Sequence, residues 1–219
     1  YNGKPYVAYQ DLAYDSKATV RMFDGTKWKT VGNAGFSAGD AGAPSIFVYN
    51  GIPYVAYTEE YPTGTFKVRV MMHNGTNWTP AGTTGYQSYG YPSLYIYNGT
   101  PYLAYEDGAN GNKATVKKFD GTGWMNVGNA GFSQGAAAIL PRSLYVYNGT
   151  PYVAYMDDAN GGKATVMKFD GINWTNVGTP GFSAGQANWL SLSVSNGIPY
   201  VGYKDNANGM KITVMKFSN

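Results

Sequence analysis

Loops of the form Asp-x-Ala-Asn-Gly recur in the later repeats of this 219-residue chain, and their side chains can bind hydroxyl groups or a cation. The loops carry the pairs Asp107 and Asn110, Asp157 and Asn160, and Asp205 and Asn208. Carboxylates and planar amides form paired hydrogen bonds with neighbouring hydroxyls, so the pattern favours a sugar ligand. A plain loop is the alternative interpretation, because Asn-Gly supplies the positive φ that tight turns need. The first two repeats depart from the pattern, with Asp11 and Asp15, and with Glu59 and Thr63.

Calcium is the one metal that these loops are predicted to hold. The candidate ligands are Asp157, Asp158 and Asn160. Ca²⁺ takes about six to eight oxygen ligands, so an adjacent segment would have to supply the remainder. Zinc needs several His, Cys or carboxylate ligands, and the chain has one His and no Cys. No other metal and no organic cofactor are predicted.

The long links between repeats add aromatic and amide side chains. Tyr89 and Tyr91 stand in the second link, and Gln186 and Trp189 stand in the last. A sugar ring can stack its C–H face on an aromatic ring while amides bind its hydroxyls. We therefore predict a ligand-binding loop face made of the three Asp/Asn pairs and these four residues.

Catalytic machinery is not predicted from the sequence. A nucleophilic triad needs a general base, usually His, and the single His73 replaces a Phe of the repeat. A glycosidase needs two carboxylates that face each other, and Glu occurs only at Glu59, Glu60 and Glu106. Most Asp residues recur at the same position of each repeat, whereas a catalytic site breaks such symmetry. The sequence therefore predicts a protein that is not an enzyme and has no catalytic residues.

A repeat positions all of these residues. The motif Pro-Tyr-x-Ala-Tyr, with one Gly for Ala, begins at Pro5, Pro53, Pro101, Pro151 and Pro199, at spacings of 48, 48, 50 and 48 residues. Self-similarity at a fixed period is the signature of solenoids and propellers. The predicted repeats are 1–48, 49–96, 97–146, 147–194 and 195–219, which form a single domain with an incomplete first and last repeat.

Each repeat contains four short runs of β character, a to d, separated by turn signals. Run a is predicted at Ser45–Tyr49, Ser93–Tyr97, Ser143–Tyr147 and Ser191–Ser195, and run c, for example, at Lys163–Phe169. In a propeller, run a is the inner strand and run d the outer one. Asn-Gly joins a to b and accepts positive φ at both central positions of a type I′ hairpin. Asp-Gly or Asn-Gly joins c to d, run d begins with Trp, and only the link from d to the next a is long. The Asp of these turns is predicted to bond the backbone two residues on, and the Trp to pack between blades. Three hairpins and one long link predict an all-β, five-bladed β-propeller of four-stranded antiparallel blades. A β-solenoid and an open or strand-swapped propeller are the alternatives.

The ends of the chain leave the predicted ring incomplete. The first repeat lacks its a strand and the last lacks its d strand, so the missing strands belong to different blades. Three explanations stay open: a fragment of a longer array, a ring that tolerates incomplete terminal blades, and strands supplied by a neighbouring subunit. Unpaired strand edges are templates for pairing, so the third explanation predicts self-association.

Topology separates the two faces of the predicted ring. Because successive strands alternate in direction, the a–b and c–d turns lie on one face. The b–c loops and the d–a links lie on the other. Long segments carry most functional residues, so we place the candidate site on the second face.

The c–d turns and the repeat as a whole resemble known families. The Asp-Gly-x-x-Trp turns, which run from Asp24 to Trp28, Asp120 to Trp124 and Asp170 to Trp174, resemble a degenerate Asp-box of sialidase-type propellers. The strings Tyr-Val-Ala-Tyr and Ala-Thr-Val-Met-Lys-Phe-Asp-Gly are similar to repeat arrays of secreted or surface bacterial proteins. The architecture is similar to tachylectin-2-like five-bladed lectins, which implies binding of N-acetylated sugars.

Composition narrows the function classes. Charged residues make up 13% of the chain and the net charge is +3, without a basic run, so no nucleic acid partner is predicted. No apolar run approaches the ~18 residues of a transmembrane helix, so no membrane insertion is predicted. Many Tyr and Gly residues with few charges indicate an extracellular or cell-surface location.

The predicted function is a non-catalytic extracellular recognition module for carbohydrate, with glycans or a cell-surface polymer as partners in adhesion. The alternative is a structural surface or filament subunit that assembles through its incomplete terminal blades. An enzyme of unrecognised type and a protein-binding scaffold are further readings, since fold alone does not fix function.

Overall fold

The computed structural model describes residues 1–60 and 64–217. Thr63 lies outside the described residues. The chain forms five antiparallel β-sheets, which we number in chain order. Sheet 1 contains β1 (Tyr6–Asp11), β2 (Lys17–Phe23) and β3 (Trp28–Thr30). Sheet 2 contains β4 (Ala41–Tyr49), β5 (Ile52–Glu60), β6 (Phe66–His73), β7 (Trp78–Pro80) and β8 (Tyr86–Gln87).

Sheets 3 to 5 repeat the arrangement. Sheet 3 contains β9 (Ser93–Tyr97), β10 (Thr100–Asp107), β11 (Lys113–Phe119) and β12 (Trp124–Asn126). Sheet 4 contains β13 (Ala137–Ala138), β14 (Leu144–Tyr147), β15 (Thr150–Asp157), β16 (Lys163–Phe169) and β17 (Trp174–Asn176). Sheet 5 contains β18 (Ala187–Ser195), β19 (Ile198–Asp205) and β20 (Lys211–Lys216). Short 3₁₀ helices cover Leu12–Tyr14, Gly108–Asn110, Asp158–Asn160 and Asn206–Asn208.

The strands follow the four predicted runs. Run a of the third repeat is β9, and run c of the fourth is β16, with the predicted bounds. The inner strands β4 and β18 begin earlier than predicted, because each contains an irregularity that shifts its register. Sheets 1 and 5 each have three strands among the described residues, in agreement with the predicted strand inventory.

The hairpin turns have the predicted chemistry. In the turn between β4 and β5, Asn50 has φ 47° and Gly51 has φ 77°, as a type I′ turn requires. In the turn between β11 and β12, one carboxylate oxygen of Asp120 accepts the N–H groups of Thr122 and Gly123, both at 2.8 Å. These bonds, that of Gly123 first, lower the pKa of Asp120 to about 2. The predicted turn role of these Asp residues is confirmed.

Tryptophan joins sheets 2, 3 and 4 to the sheet that precedes each of them. The indole Nε1 groups donate to backbone carbonyls of the preceding repeat: Trp78 to Val31 at 2.9 Å, Trp124 to Ala81 at 2.8 Å, and Trp174 to Val127 at 2.7 Å. The ring of Trp174 also stacks on Phe132, with centroids 4.1 Å apart. The predicted packing of Trp between neighbouring units is confirmed. The same bond recurs at each of these three junctions between sheets.

Four apolar cores lie between successive sheets. In sheet 4, Ala164 and Val166 point toward sheet 5 and are 0% and 1% exposed. The matching residues of sheet 5, Ile212 and Val214, are 74% and 65% exposed. Within the described ranges, therefore, no sheet covers this side of sheet 5. No helix in the described part of the chain is long and apolar enough to cross a membrane.

Candidate functional site

The predicted Asp/Asn loops are built around inward-facing carboxylates. Asp157 is 1% exposed and caps the 3₁₀ helix that follows it, accepting the N–H of Ala159 at 3.2 Å. Its second oxygen accepts the Asn160 amide at 2.9 Å and the Thr165 hydroxyl at 2.7 Å. The carboxylate thus ties the loop to strand β16.

The same arrangement recurs in the neighbouring repeats. Asp107 accepts bonds from Ala109, Asn110 and Thr115, and Asp205 accepts bonds from Ala207 and Thr213. Asp107 and Asp205 are buried like Asp157, whereas Asn208 is exposed. The three loops lie on sheets 3, 4 and 5 and do not form one site. Their predicted role in ligand binding stays a prediction, and the structure gives their carboxylates internal partners.

The calcium candidate shares this arrangement. Both carboxylate oxygens of Asp157 accept hydrogen bonds from the protein, while Asp158 and Asn160 belong to the short helix. In residues 1–60 and 64–217, no group of three or more His, Cys, Asp or Glu side chains is placed to hold a metal ion. Calcium binding at this loop stays a prediction.

Tyr89 and Tyr91 are brought together in one pocket on the predicted loop face, which we call the tyrosine pocket. It has a volume of about 340 Å³ and is lined by Gln10, Asp40, Gly42, Thr58, Glu60, Phe66, Tyr89, Gly90 and Tyr91. Tyr89 and Tyr91 are 57% and 39% exposed, so their rings are available to a ligand. Two carboxylates, an amide and three aromatic rings therefore converge in one concave site.

Strand ends and one link hold the tyrosine pocket in shape. The Thr58 hydroxyl, near the end of β5, donates to the Gly90 carbonyl at 2.7 Å and fixes the link. The Gln87 amide donates to the Tyr89 hydroxyl at 2.8 Å. The Tyr89 ring also meets Phe66 edge to face, with centroids 6.2 Å apart. These contacts place the tyrosines before any ligand binds.

Glu106 contacts Gly90, which is one of the residues that line the tyrosine pocket. A Cβ placed on Gly90 would overlap the Glu106 carboxylate, so the acid contacts the bare backbone of the link. Glu106 Oε1 accepts the N–H of Ile139 at 3.3 Å. Burial raises the pKa of Glu106 to about 7, and the negative charge of Asp158 adds to the rise, while the Ile139 bond opposes it. An acid with this pKa holds a transferable proton near neutral pH.

Glu59 has a structural role in a neighbouring cavity of about 480 Å³. Its carboxylate accepts the N–H groups of Ala38 and Gly39 at 3.1 and 3.0 Å. It also pairs with Arg69, at 3.0 Å from Nε, and Arg69 donates to the Thr84 carbonyl. The pair attaches two links to sheet 2, because both charged groups also bond to backbone groups of those links.

Gln186 lies in the link that leads into sheet 5, whereas Trp189, predicted in the same link, belongs to strand β18; neither lines the tyrosine pocket. Trp189 is 68% exposed and has φ 55°. Asn188 donates to the Asn206 amide oxygen at 3.3 Å, and Asn206 donates to the Gln186 amide oxygen at 3.1 Å. The sequence prediction therefore joined residues of two separate surfaces.

Sequence reasoning left Gln10, Glu60, Phe66 and Glu106 out of the predicted site. A usable signal was present, because Glu is confined to the second and third repeats. Because a catalytic site breaks repeat symmetry, the three Glu positions were candidates for such a site. Their proximity depends on contacts between three repeats, which spacing alone does not reveal.

Comparison with known proteins places the fold among the β-propellers. No family model and no curated protein matches the sequence. Similar solved structures include a protein of unknown function from Dyadobacter fermentans, with a TM-score of 0.64 and 15% identity over 99% of this chain and 76% of that one. A GH43_1 enzyme from Xanthomonas citri complexed with xylose has a TM-score of 0.53 and 12% identity, over 100% of this chain and 85% of the enzyme.

A second GH43 enzyme, from a compost microbial metagenome, is similar to this chain. This β-xylosidase/α-arabinofuranosidase, in complex with xylotriose, has a TM-score of 0.50 and 13% identity over 100% of this chain and 89% of that one. At these identities the likeness shows the fold alone. The chain is thus an all-β protein of the propeller class with five sheets.

These comparisons correct the predicted function. We predicted a non-catalytic recognition module, with a structural or filament subunit as the alternative. That prediction is wrong, because the similar structures are mainly glycoside hydrolases. The predicted lack of enzymatic activity conflicts only weakly with these neighbours, because they share 12–16% identity with this chain and one of them is of unknown function. The connection with carbohydrate is supported, since the two similar GH43 enzymes are in complex with xylose and xylotriose. The likeness to tachylectin-2-like lectins stays a prediction.

Proposed function

We propose that the five sheets are the blades of a five-bladed β-propeller that hydrolyses glycosidic bonds of a neutral glycan at the tyrosine pocket. One observation carries the proposal. Glu106, with a pKa of about 7, contacts the same glycine that lines a pocket containing two further carboxylates and two exposed tyrosines.

The lining of the pocket suits a sugar unit. Tyr89 and Tyr91 offer ring faces for the C–H side of a sugar, and Gln10, Asp40 and Glu60 offer partners for its hydroxyls. The nine lining residues include two carboxylates and no Lys or Arg. A uronic acid would meet charge repulsion there, so the proposed substrate is uncharged.

The proposed reaction uses the carboxyl group of Glu106, which contacts Gly90, and a carboxylate of the pocket lining. A sugar in the pocket places its glycosidic oxygen over Gly90, and Glu106 gives its proton to that oxygen as the bond to the anomeric carbon breaks. Asp40 or Glu60 accepts a proton from the water that attacks the anomeric carbon. One water is consumed, and the two sugar fragments leave with a new hydroxyl group each.

The sugars bound by the similar GH43 enzymes give the proposal its first substrates to test. One of them is a β-xylosidase/α-arabinofuranosidase in complex with xylotriose, and the other is in complex with xylose. We take xylo-oligosaccharides and arabino-oligosaccharides as the neutral glycans to test.

The test measures released reducing sugar from these oligosaccharides between pH 5 and 8, with products separated by chromatography. We expect hydrolysis by the wild-type chain, a loss of about a hundredfold or more in E106Q, and a decline as pH rises through about 7, where Glu106 loses its proton. D40N and E60Q decide which carboxylate activates water. D170N alters an exposed turn outside the pocket and serves as the control, with unchanged activity expected.

Two outcomes contradict the proposal. Either the wild-type chain leaves every oligosaccharide of the panel intact, or E106Q hydrolyses them at the wild-type rate. Retained folding of E106Q, checked by its thermal unfolding transition, separates a loss of chemistry from a loss of structure.

A further inference from the structure

Trp189 combines exposure with backbone strain. The side chain is 68% exposed, and φ of 55° places the residue in the left-handed region. For a residue other than Gly this conformation is strained, because Cβ approaches the following carbonyl oxygen. The matching residue of sheet 2, Ala43, has φ 35° at the same irregularity of the inner strand. The repeat thus forces the conformation, and sheet 5 carries an indole where Gly or Asn would be less strained.

A ladder of amides lies beside the indole. Asn188, which precedes Trp189, bonds to Asn206 at 3.3 Å, and Asn206 bonds to Gln186 at 3.1 Å. The backbone also holds the ladder, because Asn206 N–H donates to the Gln186 carbonyl at 3.1 Å. Gln186 and Asn206 are exposed, so their amides can bind hydroxyls while the ring stacks on a sugar face.

The position of this surface relative to the tyrosine pocket indicates a long ligand. Both lie on the face formed by b–c loops and d–a links, but none of the pocket residues belongs to sheet 5. Sheet 4 stands between sheets 3 and 5, and apolar cores join it to both. A short sugar that fills the pocket leaves Trp189 free, whereas a polysaccharide chain can occupy both.

We infer that Trp189, with Gln186, Asn188 and Asn206, is a second binding site for a neutral polysaccharide, remote from the bond that is cleaved. The inference rests on the proposed function for the identity of the glycan. It makes polymers, rather than oligosaccharides of two or three units, the preferred substrates.

The test compares polymer binding with short-substrate hydrolysis. Affinity electrophoresis through gels containing soluble arabinoxylan or arabinan measures the dissociation constant of the wild-type chain, W189A, W189G and W28A. We expect W189A to bind roughly tenfold more weakly, in line with the loss of one stacking ring. Its rate on xylotriose should equal that of the wild type. W28A removes an exposed Trp of strand β3 and should bind like the wild type.

The glycine variant separates strain from binding. W189G removes the ring and relieves the left-handed strain, so its thermal midpoint should rise while its affinity falls as in W189A. The inference is overturned if W189A is retarded as strongly as the wild type, or if neither gel retards the wild type. If xylotriose stays intact while W189A loses affinity for the polymer, the proposed hydrolysis fails and the second site stands.

Discussion

Replacement of Asp157 with Ala tests whether the inward-facing carboxylates of the Asp/Asn loops stabilise the fold. The carboxylate is 1% exposed and accepts hydrogen bonds from Ala159, Asn160 and Thr165. The bond from Ala159 is that of a helix N-cap, whose loss costs about 1 kcal/mol. The Thr165 hydroxyl is 1% exposed, and a buried hydroxyl left without an acceptor costs about 1–3 kcal/mol. The free energy of unfolding should therefore fall by about 2–4 kcal/mol.

The first repeat supplies a matched control. Asp11 is half-exposed and caps its helix with the bond from Ala13 N–H at 3.2 Å. D11A should therefore lose the cap, about 1 kcal/mol, but no buried partner equivalent to Thr165. Urea unfolding followed by tryptophan fluorescence measures both variants. Equal losses, within about 0.5 kcal/mol, would refute the reasoning, because the Asn160 and Thr165 bonds would then contribute nothing.

Three further outcomes follow from burial and close contact. The pKa of Glu106 is raised from 4.5 to about 7, so the fold favours its protonated form. The thermal midpoint of the wild type should therefore fall as pH rises from about 4.5 to about 7, and the midpoint of E106Q should fall less. G90A, whose new Cβ would overlap the Glu106 carboxylate, should impair hydrolysis, whereas G123A, with open space around its Cβ, should leave the rate unchanged in the same assay. Val166 is 1% exposed and Val214 is 65% exposed. In urea titrations, V166A should therefore lower the free energy of unfolding by roughly 1–3 kcal/mol, and V214A by less than about 0.5 kcal/mol. Similar losses in the two variants would contradict the assigned packing.

The elements that the sequence predicted well depend on local chemistry. Asn50-Gly51 requires positive φ at adjacent residues, and Asp120 bonds the N–H groups just after it, so both turns can be read from a few residues. The period of the repeat then places the strands, because every copy carries the same signals. The irregularity in β4 and β18 has no such local signal, so the inner strands extend further than predicted.

The candidate site was harder to predict because it depends on differences between repeats. Glu106 and Tyr91 come from different repeats and meet at Gly90 through packing of neighbouring sheets. The direction of Asp157 was also hidden, because an Asp at a loop can face solvent or cap the helix that follows. Its partner Thr165 on β16 favours the inward direction, and that pairing became visible only in three dimensions.

The tryptophan bonds between successive sheets give this protein a linear order of coupling. The indoles of Trp78, Trp124 and Trp174 link sheets 2, 3 and 4 to their predecessors through Val31, Ala81 and Val127. Each of the four apolar cores, including the one between sheets 4 and 5, is shared by two consecutive sheets. Stability in such an array behaves as a chain of nearest-neighbour terms rather than a single central one. Local opening then starts where a sheet has one coupled neighbour and spreads inward. Amide hydrogen exchange would register this as protection that is greatest in sheet 3 and diminishes toward sheets 1 and 5.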